Sequence, residues 1–483
     1  MRKPEEHTIS DTSQHATADR AVDAVVVGAG ISGLATAHLL RRAGLDVAVY
    51  ERDERAGGSI QTEKRDGFVF EPGPNSVLDT SEALRQVIVD VGLRERVEFA
   101  ADAAKNRYIV RDGRLQALPL SPPGLIRSRL FSTGTKLRLL REPFVRPAPP
   151  AAEETLAEFV LRRLGREFLD YAIDPFVSGT FAGRPEELCV RTAFKRLYAL
   201  EQNHGSLIRG AIRLRRERQK EAAAGEKVQL QAGPGQRMFS FAGGMRTLVD
   251  ALVADIEPAL HTDRGVREIR TAAGGYVLGG ICDGGAWAVR ARAVVLTLDA
   301  HAYADLDFGF DFPFTARLGE IPYPPVTAAF SGYRRDPTGG ALDGFGFLTP
   351  RLEKRRILGT LFNSCLFPGR APEGGAALTT FIGGRRQPEH AAWDDDRMRG
   401  AVLEEHRALL GIECEPDLFL LRRWPRAIPQ YLIGHRQLVE EIAAYEAGQP
   451  GLYLSGNFRG GISVADCVTQ ARDTVDRVCE YLR

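Results

Sequence analysis

Residues 24–27, Ala-Val-Val-Val, form a wholly apolar and mostly β-branched run, which predicts a parallel strand buried on both faces. Residues 34–43 then keep helical spacing up to Gly44, and residues 47–50 predict a second buried strand. The far end of the chain has a matching arrangement. Residues 452–455 read as a strand, and Val464, Cys467, Val468, Ala471, Val475, Val478, Cys479 and Leu482 mark one buried face of a closing helix. Between these ends, residues 239–245 lead into a helical stretch at 246–254, and residues 266–269 read as a short strand. One discontinuous domain is therefore expected from 21–85, 228–300 and 424–483. Residues 86–227 look mainly helical, with Pro-rich loops at 119–123 and 143–150. Residues 301–423 alternate short apolar runs with Gly and Pro turns and predict the sheet of a further domain.

Composition narrows the picture only a little. The 483 residues are 44% hydrophobic and 26% charged with a net charge of +1, the balance of an ordinary globular protein. Nothing in that charge points to a nucleic-acid partner. The six cysteines lack a CxxC pair, so buried or inert thiols are expected rather than a zinc site. His204 and His301 have no second ligand at metal spacing, and no metal is expected. Residues 1–20 are polar, lack the apolar core of a signal peptide, and are expected to form a disordered arm.

The first strand runs into Gly28-Ala29-Gly30-Ile31-Ser32-Gly33, a GxGxxG turn that opens the first helix, and the second strand delivers Glu51. The glycines suit a tight turn, close approach to a pyrophosphate and close helix–strand packing, in that order. Phosphate charge is favoured at the helix N-terminus, and Glu51 stands where an adenosine ribose would be held. That motif alone does not separate NAD from FAD. Gly57-Gly58 and the turn at 456–461 do, because a lengthwise FAD needs backbone close to its pyrophosphate and a helix dipole near its isoalloxazine ring.

The combination GAGISGL, Glu51 with Gly57-Gly58, FAGGM and SGNFRGGISVADC resembles the flavin amine oxidase superfamily. Within it, EPGPNS (71–76), the stretch at 178–210 and RWPRAIPQYLIGH (423–435) resemble the oxygen-dependent protoporphyrinogen oxidases, over nearly everything from Val22 to Leu482. Many relatives carry Arg after the double glycine where this chain has Ser59, a change that weakens an amine-oxidase reading more than this one.

The resemblance implies an α/β fold: a Rossmann-like, glutathione-reductase-type FAD domain, an α+β substrate domain at 301–423 and a helical insertion at 86–227. It implies non-covalent FAD held by Gly28, Gly30, Ile31, Ser32, Gly33, Glu51, Arg52, Gly57, Gly58 and Ser59. Gly73, Pro74, Val266, Trp424, Gly456, Ile462, Ser463 and Val464 would complete that site. For substrate it implies Arg107 on a propionate, the Gly179 carbonyl on pyrrole N–H groups, Phe345 and Leu348 on the macrocycle, and Asn75 where flavin and substrate meet. From the sequence pattern alone, Arg107 would be a solvated surface arginine.

The implied reaction removes six electrons from a tetrapyrrole in three two-electron rounds, with O2 as acceptor. Orientation rather than acid–base machinery would carry it, consistent with the absence of a Ser-His-Asp or paired-carboxylate constellation. The resemblance further implies a ferrochelatase downstream, a homodimer, and a cytoplasmic protein peripheral on the inner face of the cell membrane. For that surface, Arg127, Arg129, Lys136, Arg138 and Arg141 alternate with Leu125, Ile126, Leu130, Phe131, Leu137, Leu139 and Leu140. A second basic run, Arg209 to Lys220, reads as a solvated helix face or as a steering field for an anionic substrate. Three other readings stay open: coproporphyrinogen III oxidation, amine oxidation, and a flavin-free escort protein of the same fold.

Overall fold

The computed structural model describes residues 20–119, 121–149, 153–224, 230 and 237–483. The polar arm expected at 1–20 lies outside these residues, apart from Arg20. Five parallel strands form the heart of the first sheet, in the order Leu260–His261, Val47–Tyr50 (β2), Ala21–Val27 (β1), Gly285–Leu296 and Leu452–Leu454. The side chains of Ala24, Val25 and Val26 are fully buried, as strands covered by helices on both faces require. The helix Ile31–Arg42 (α1) and the closing helix Val464–Leu482 pack against each other on one face. The first half of strand Gly285–Leu296 also pairs antiparallel with Gly275–Cys282, which extends this sheet away from the parallel centre.

A second sheet has seven strands in the order Leu418–Trp424, Val326–Tyr333, Ala376–Gly383, Gly359–Phe362, Gly346–Leu348, Tyr108–Arg111 and Arg114–Ala117. One face packs on the helix Asp395–Leu410 through Phe347, Phe362, Leu378, Met398 and Val402. Its last two strands lie within 86–227, the span expected to be a helical insertion. The reason is local. Asp112 and Gly113 both have positive φ (53° and 70°), the geometry of a tight hairpin turn, so β-branched Ile109 and Val110 join the sheet instead of a helix. At the other boundary, strand Leu418–Trp424 runs across position 423.

Val97–Phe99 is a further short strand, paired with Met238–Phe241, and most of the remaining described insertion is helical, with a core around Leu156, Phe159, Val160, Val177 and Leu188. The basic–apolar stretch expected to face a membrane is split. Leu130, Phe131 and Leu139 are buried, Leu130 and Phe131 beneath Ile109 and Leu348 with Phe131 stacked on Phe168. Ile126, Leu137 and Leu140 remain outside, joined by Phe144 (82% exposed). Among the cysteines only Cys189 and Cys467 are buried, and Cys414 is exposed.

Candidate functional site

The cradle begins where β1 ends. Gly28 turns the chain at φ 97°, and a Cβ on Gly33 would stand 1.8 Å from the Gly28 carbonyl oxygen, so Gly33 lets α1 lie against the turn. Gly30 differs from both. It caps α1 in extended conformation with no side-chain cap, and a Cβ there would meet nothing within 4 Å. The space beside Gly30 at the N-terminus of α1 is therefore open, and free helix N–H groups and the dipole there suit an anion such as a pyrophosphate. Gly57 donates its N–H to the Ala29 carbonyl (2.8 Å), and a Cβ on Gly58 would stand 3.3 Å from Gly30 Cα. The second glycine pair thus lies directly on the first.

The buried Glu51 carboxylate accepts the Ala29 N–H (2.6 Å) and the Asp53 N–H (3.0 Å), which fixes it beside the turn with lone pairs to spare for ribose hydroxyls. Val266 is buried nearby, and Arg52 runs along Gly265 toward Asp305 at the exposed rim. On the other side, a Cβ on Gly73 would meet the Ser59 carbonyl oxygen at 1.9 Å, so the 71–76 stretch is pressed onto the glycine pair.

A second helix N-terminus comes up beside that of α1. Ser463 caps the closing helix in a reciprocal box with Asp466, and Val464 is buried at its first turn. Burial pushes the Cys467 thiol up to about 12, partly offset by a hydrogen bond with the Ser32 hydroxyl, which holds the two first turns together. Gly456 turns at φ 134°, where a Cβ would stand 2.9 Å from the Leu298 carbonyl oxygen. Ile462, partly buried, packs its side chain on the core of the insertion. Trp424 Nε1 donates to the Pro72 carbonyl (2.8 Å), tying the end of the second sheet to the cradle.

Of the residues expected on the substrate, Arg107, Gly179 and Leu348 come together on the face of the second sheet opposite the helix Asp395–Leu410, whereas Phe345 packs against Ala104, Leu366 and Phe367. Register sets Leu348 beside Ile109 and Gly359, Gly359 beside Phe381, and Gly346 beside Leu361. Leu348, Leu361 and Phe381 therefore share one face, and strand alternation puts Arg107 at its edge. Leu361 and Phe381 are partly exposed on otherwise largely buried strands. Gly179, on the helix Asp174–Phe181, stands over this face so closely that a Cβ would be 2.4 Å from Leu348 Cδ2. The Arg107 guanidinium lies 5.0 Å from the Phe345 ring centroid and has no carboxylate partner among the described residues. Arg107 is exposed to solvent, although neighbouring protein lowers its pKa and no acid counters that effect. An exposed arginine without an acid partner stays open to an anionic ligand.

Asn75 joins the two halves. It accepts from Asn363 Nδ2 (2.8 Å), at the end of strand Gly359–Phe362, and donates to the Gly73 carbonyl (3.2 Å). Asn363 is buried, and its Oδ1 has no hydrogen-bond partner. Sequence reading missed Asn363, Leu361, Phe381 and Glu71. For Leu361 and Phe381 the alternation within their strands was the available signal, but only register shows that they meet. Glu71 accepts from Met245 N–H (2.7 Å) and the Thr62 hydroxyl (2.8 Å), and burial pushes its carboxyl up to about 7. It fastens the 243–245 turn to the cradle.

A family model described as flavin containing amine oxidoreductase matches residues 31–479. Protoporphyrinogen oxidase 2, chloroplastic/mitochondrial, of Arabidopsis thaliana is 34% identical, over 97% of this chain and 97% of its own. Coproporphyrinogen III oxidase of Bacillus subtilis (strain 168) is 26% identical, over 95% of this chain and 98% of its own. A solved structure from Exiguobacterium sp. 255-15 superposes with a TM-score of 0.78 at 23% identity, covering 95% of this chain and 98% of that one.

Proposed function

This chain belongs to the flavin-containing amine oxidoreductases, and from that premise we propose that it oxidises protoporphyrinogen IX to protoporphyrin IX with O2 as acceptor. Its cofactor is FAD, and the residues that would hold it are Gly28, Gly30 and the first turn of α1, Glu51, Gly57-Gly58, and the first turn of the closing helix. When bound, FAD supplies a two-electron acceptor that O2 restores with release of H2O2.

The observation that carries the substrate reading is Arg107, a cation with no acid partner, at the edge of an apolar face roofed by Gly179. A porphyrinogen offers matching chemistry: propionates at one edge, a broad apolar ring, and pyrrole N–H groups for a backbone carbonyl. Arg107 would bind a propionate in two places, Leu348, Leu361 and Phe381 would exclude water from the ring, and the Gly179 carbonyl would orient it. The relatives named for protoporphyrinogen support this choice over coproporphyrinogen III, whose named oxidase is less similar. An amine substrate gains no support, because Phe458, the aromatic of the C-terminal turn, is buried against Tyr303. Oxygen uptake followed beside porphyrin fluorescence tests the acceptor. Three O2 per porphyrin are expected, and porphyrin formation that ignores O2 would remove O2 from the scheme.

The insertion is the proposed contact with a membrane surface, on the cytoplasmic side. Ile126, Leu137, Leu140, Phe144 and Ile212 are exposed among Arg127, Arg129, Arg141 and Arg213, the mixture that settles in an anionic lipid interface. No helix among the described residues is long and apolar enough to cross a membrane. A free-base porphyrin leaving this face would next meet a metal-inserting enzyme, a ferrochelatase by its chemistry.

A further inference from the structure

Helix Asp174–Phe181 carries Gly179 but belongs to the insertion, whereas Leu348 and Phe381 belong to the sheet. Gly179 rests against Leu348, so the contact joins two separately built parts, and something must fix how closely they approach. Arg386, three residues beyond strand Ala376–Gly383, reaches both parts. One amino group donates to the Thr349 carbonyl (2.7 Å), next to Leu348. The other donates to the Ser178 hydroxyl (2.8 Å), next to Gly179, and to Asp174 Oδ2 (3.1 Å). The same Asp174 oxygen accepts the Arg351 N–H at 2.8 Å. At the far end of the helix, the Arg385 N–H donates to the Ala182 carbonyl (2.7 Å). Both members of the ion pair are sheltered, with side chains 8% and 11% exposed.

We propose that Arg386 is a positioning residue that sets how closely the Gly179 helix stands on the substrate face, by locking that helix to the sheet at Thr349. This deepens the substrate reading of the preceding subsection and rests on it. Burying an ion pair is costly, and well-packed apolar residues of similar volume often replace one at no loss of stability. A planar fork has a use here that such residues lack. Its fixed donors hold three acceptors from two elements in one geometry. Burial lowers the Arg386 pKa and raises that of Asp174, with their mutual attraction opposing both shifts, as expected of a pair kept from water. A neighbouring feature of the helix fits the same role. It is entered through a π-helical segment, Leu169–Ile173, and such segments often mark functional sites.

The test uses Arg386→Lys in the FAD-loaded protein. An ammonium keeps the charge but cannot span all three acceptors. The expected result is full flavin content, kcat for protoporphyrinogen lowered about tenfold, and KM changed much less, because orientation is lost while the propionate contact and apolar area remain. A thermal cycle run without substrate reads the Gly179–Leu348 contact itself. Gly179→Ala forces a Cβ onto Leu348 in the locked slot, so its Tm loss should be distinctly smaller in the Arg386→Lys background than in the parent. Additive Tm shifts overturn the proposal, as does an unchanged kcat or a loss confined to KM. If Arg386→Lys does not fold, the pair Asp174→Asn with Arg386→Gln serves in the same cycle under the same criteria. Failure of the parent to make porphyrin would sink the substrate reading, while the thermal cycle would still decide the lock.

Discussion

In the cradle, the surfaces offered to a ligand are backbone: a glycine turn at 28–33, a glycine pair laid on it, and two helix N-termini brought side by side. On the proposed substrate face they are contributed by elements far apart in sequence, with Arg107, Gly179, Leu348, Leu361 and Phe381 drawn from the insertion and three strands. The difference has a physical origin. A pyrophosphate needs N–H donors and close approach, which a short local motif can supply. A broad apolar ring needs a wall of side chains, which only sheet register can assemble. Two joints hold the regions together, Asn75 with Asn363 and Trp424 with the Pro72 carbonyl.

Substitutions can break the comparison at either end, and the largest effect is expected at Gly33. A Cβ there meets the Gly28 carbonyl oxygen at 1.8 Å, so Gly33→Val should cost on the order of 4 kcal/mol or more and give little folded protein by circular dichroism. Gly30→Val is the informative counterpart. Its Cβ meets nothing within 4 Å, so the fold and thermal transition should persist while the protein purifies colourless. Stoichiometric flavin in that variant would show that the space beside Gly30 is not the pyrophosphate site.

In the slot the effects should be smaller and purely kinetic. A charge-assisted bidentate contact contributes about 1.5–3 kcal/mol, so Arg107→Ala should lower kcat/KM for protoporphyrinogen by roughly ten- to a hundredfold with flavin content unchanged. Lys should recover only part of the loss, and with a methyl-esterified substrate parent and variant should differ little. Equal turnover of the free acid by both would return Arg107 to an ordinary surface arginine. The mildest effect is expected at the surface: Leu140→Ser with Phe144→Ser should weaken flotation with anionic liposomes and leave turnover in detergent intact. Unchanged flotation would move the contact elsewhere.

How far the chain could be read follows the same division. The residues 24–51 were legible because strand, turn, helix and acid are contiguous and each has its own local signature. So was the closing helix, from its apolar period and the glycine-rich turn that opens it. Arg107 was placed in a helical span because the Asp112-Gly113 turn was not weighed as a hairpin signal, although both residues have positive φ in the fold. Leu130 and Phe131 shared the spacing of their exposed neighbours and differ only in what lies beneath them, Ile109 and Leu348. The Arg386 lock had no local sign, since its partners lie 37 and more than 200 residues away.

The central claim, a flavin site coupled to a porphyrinogen slot, is tested most directly by one measurement. The purified yellow protein is given protoporphyrinogen IX and, separately, coproporphyrinogen III in air, and porphyrin fluorescence is followed to steady state. Protoporphyrin should form with the higher kcat/KM of the two. No porphyrin from either substrate would contradict the slot, and faster turnover of coproporphyrinogen would contradict the choice of protoporphyrinogen.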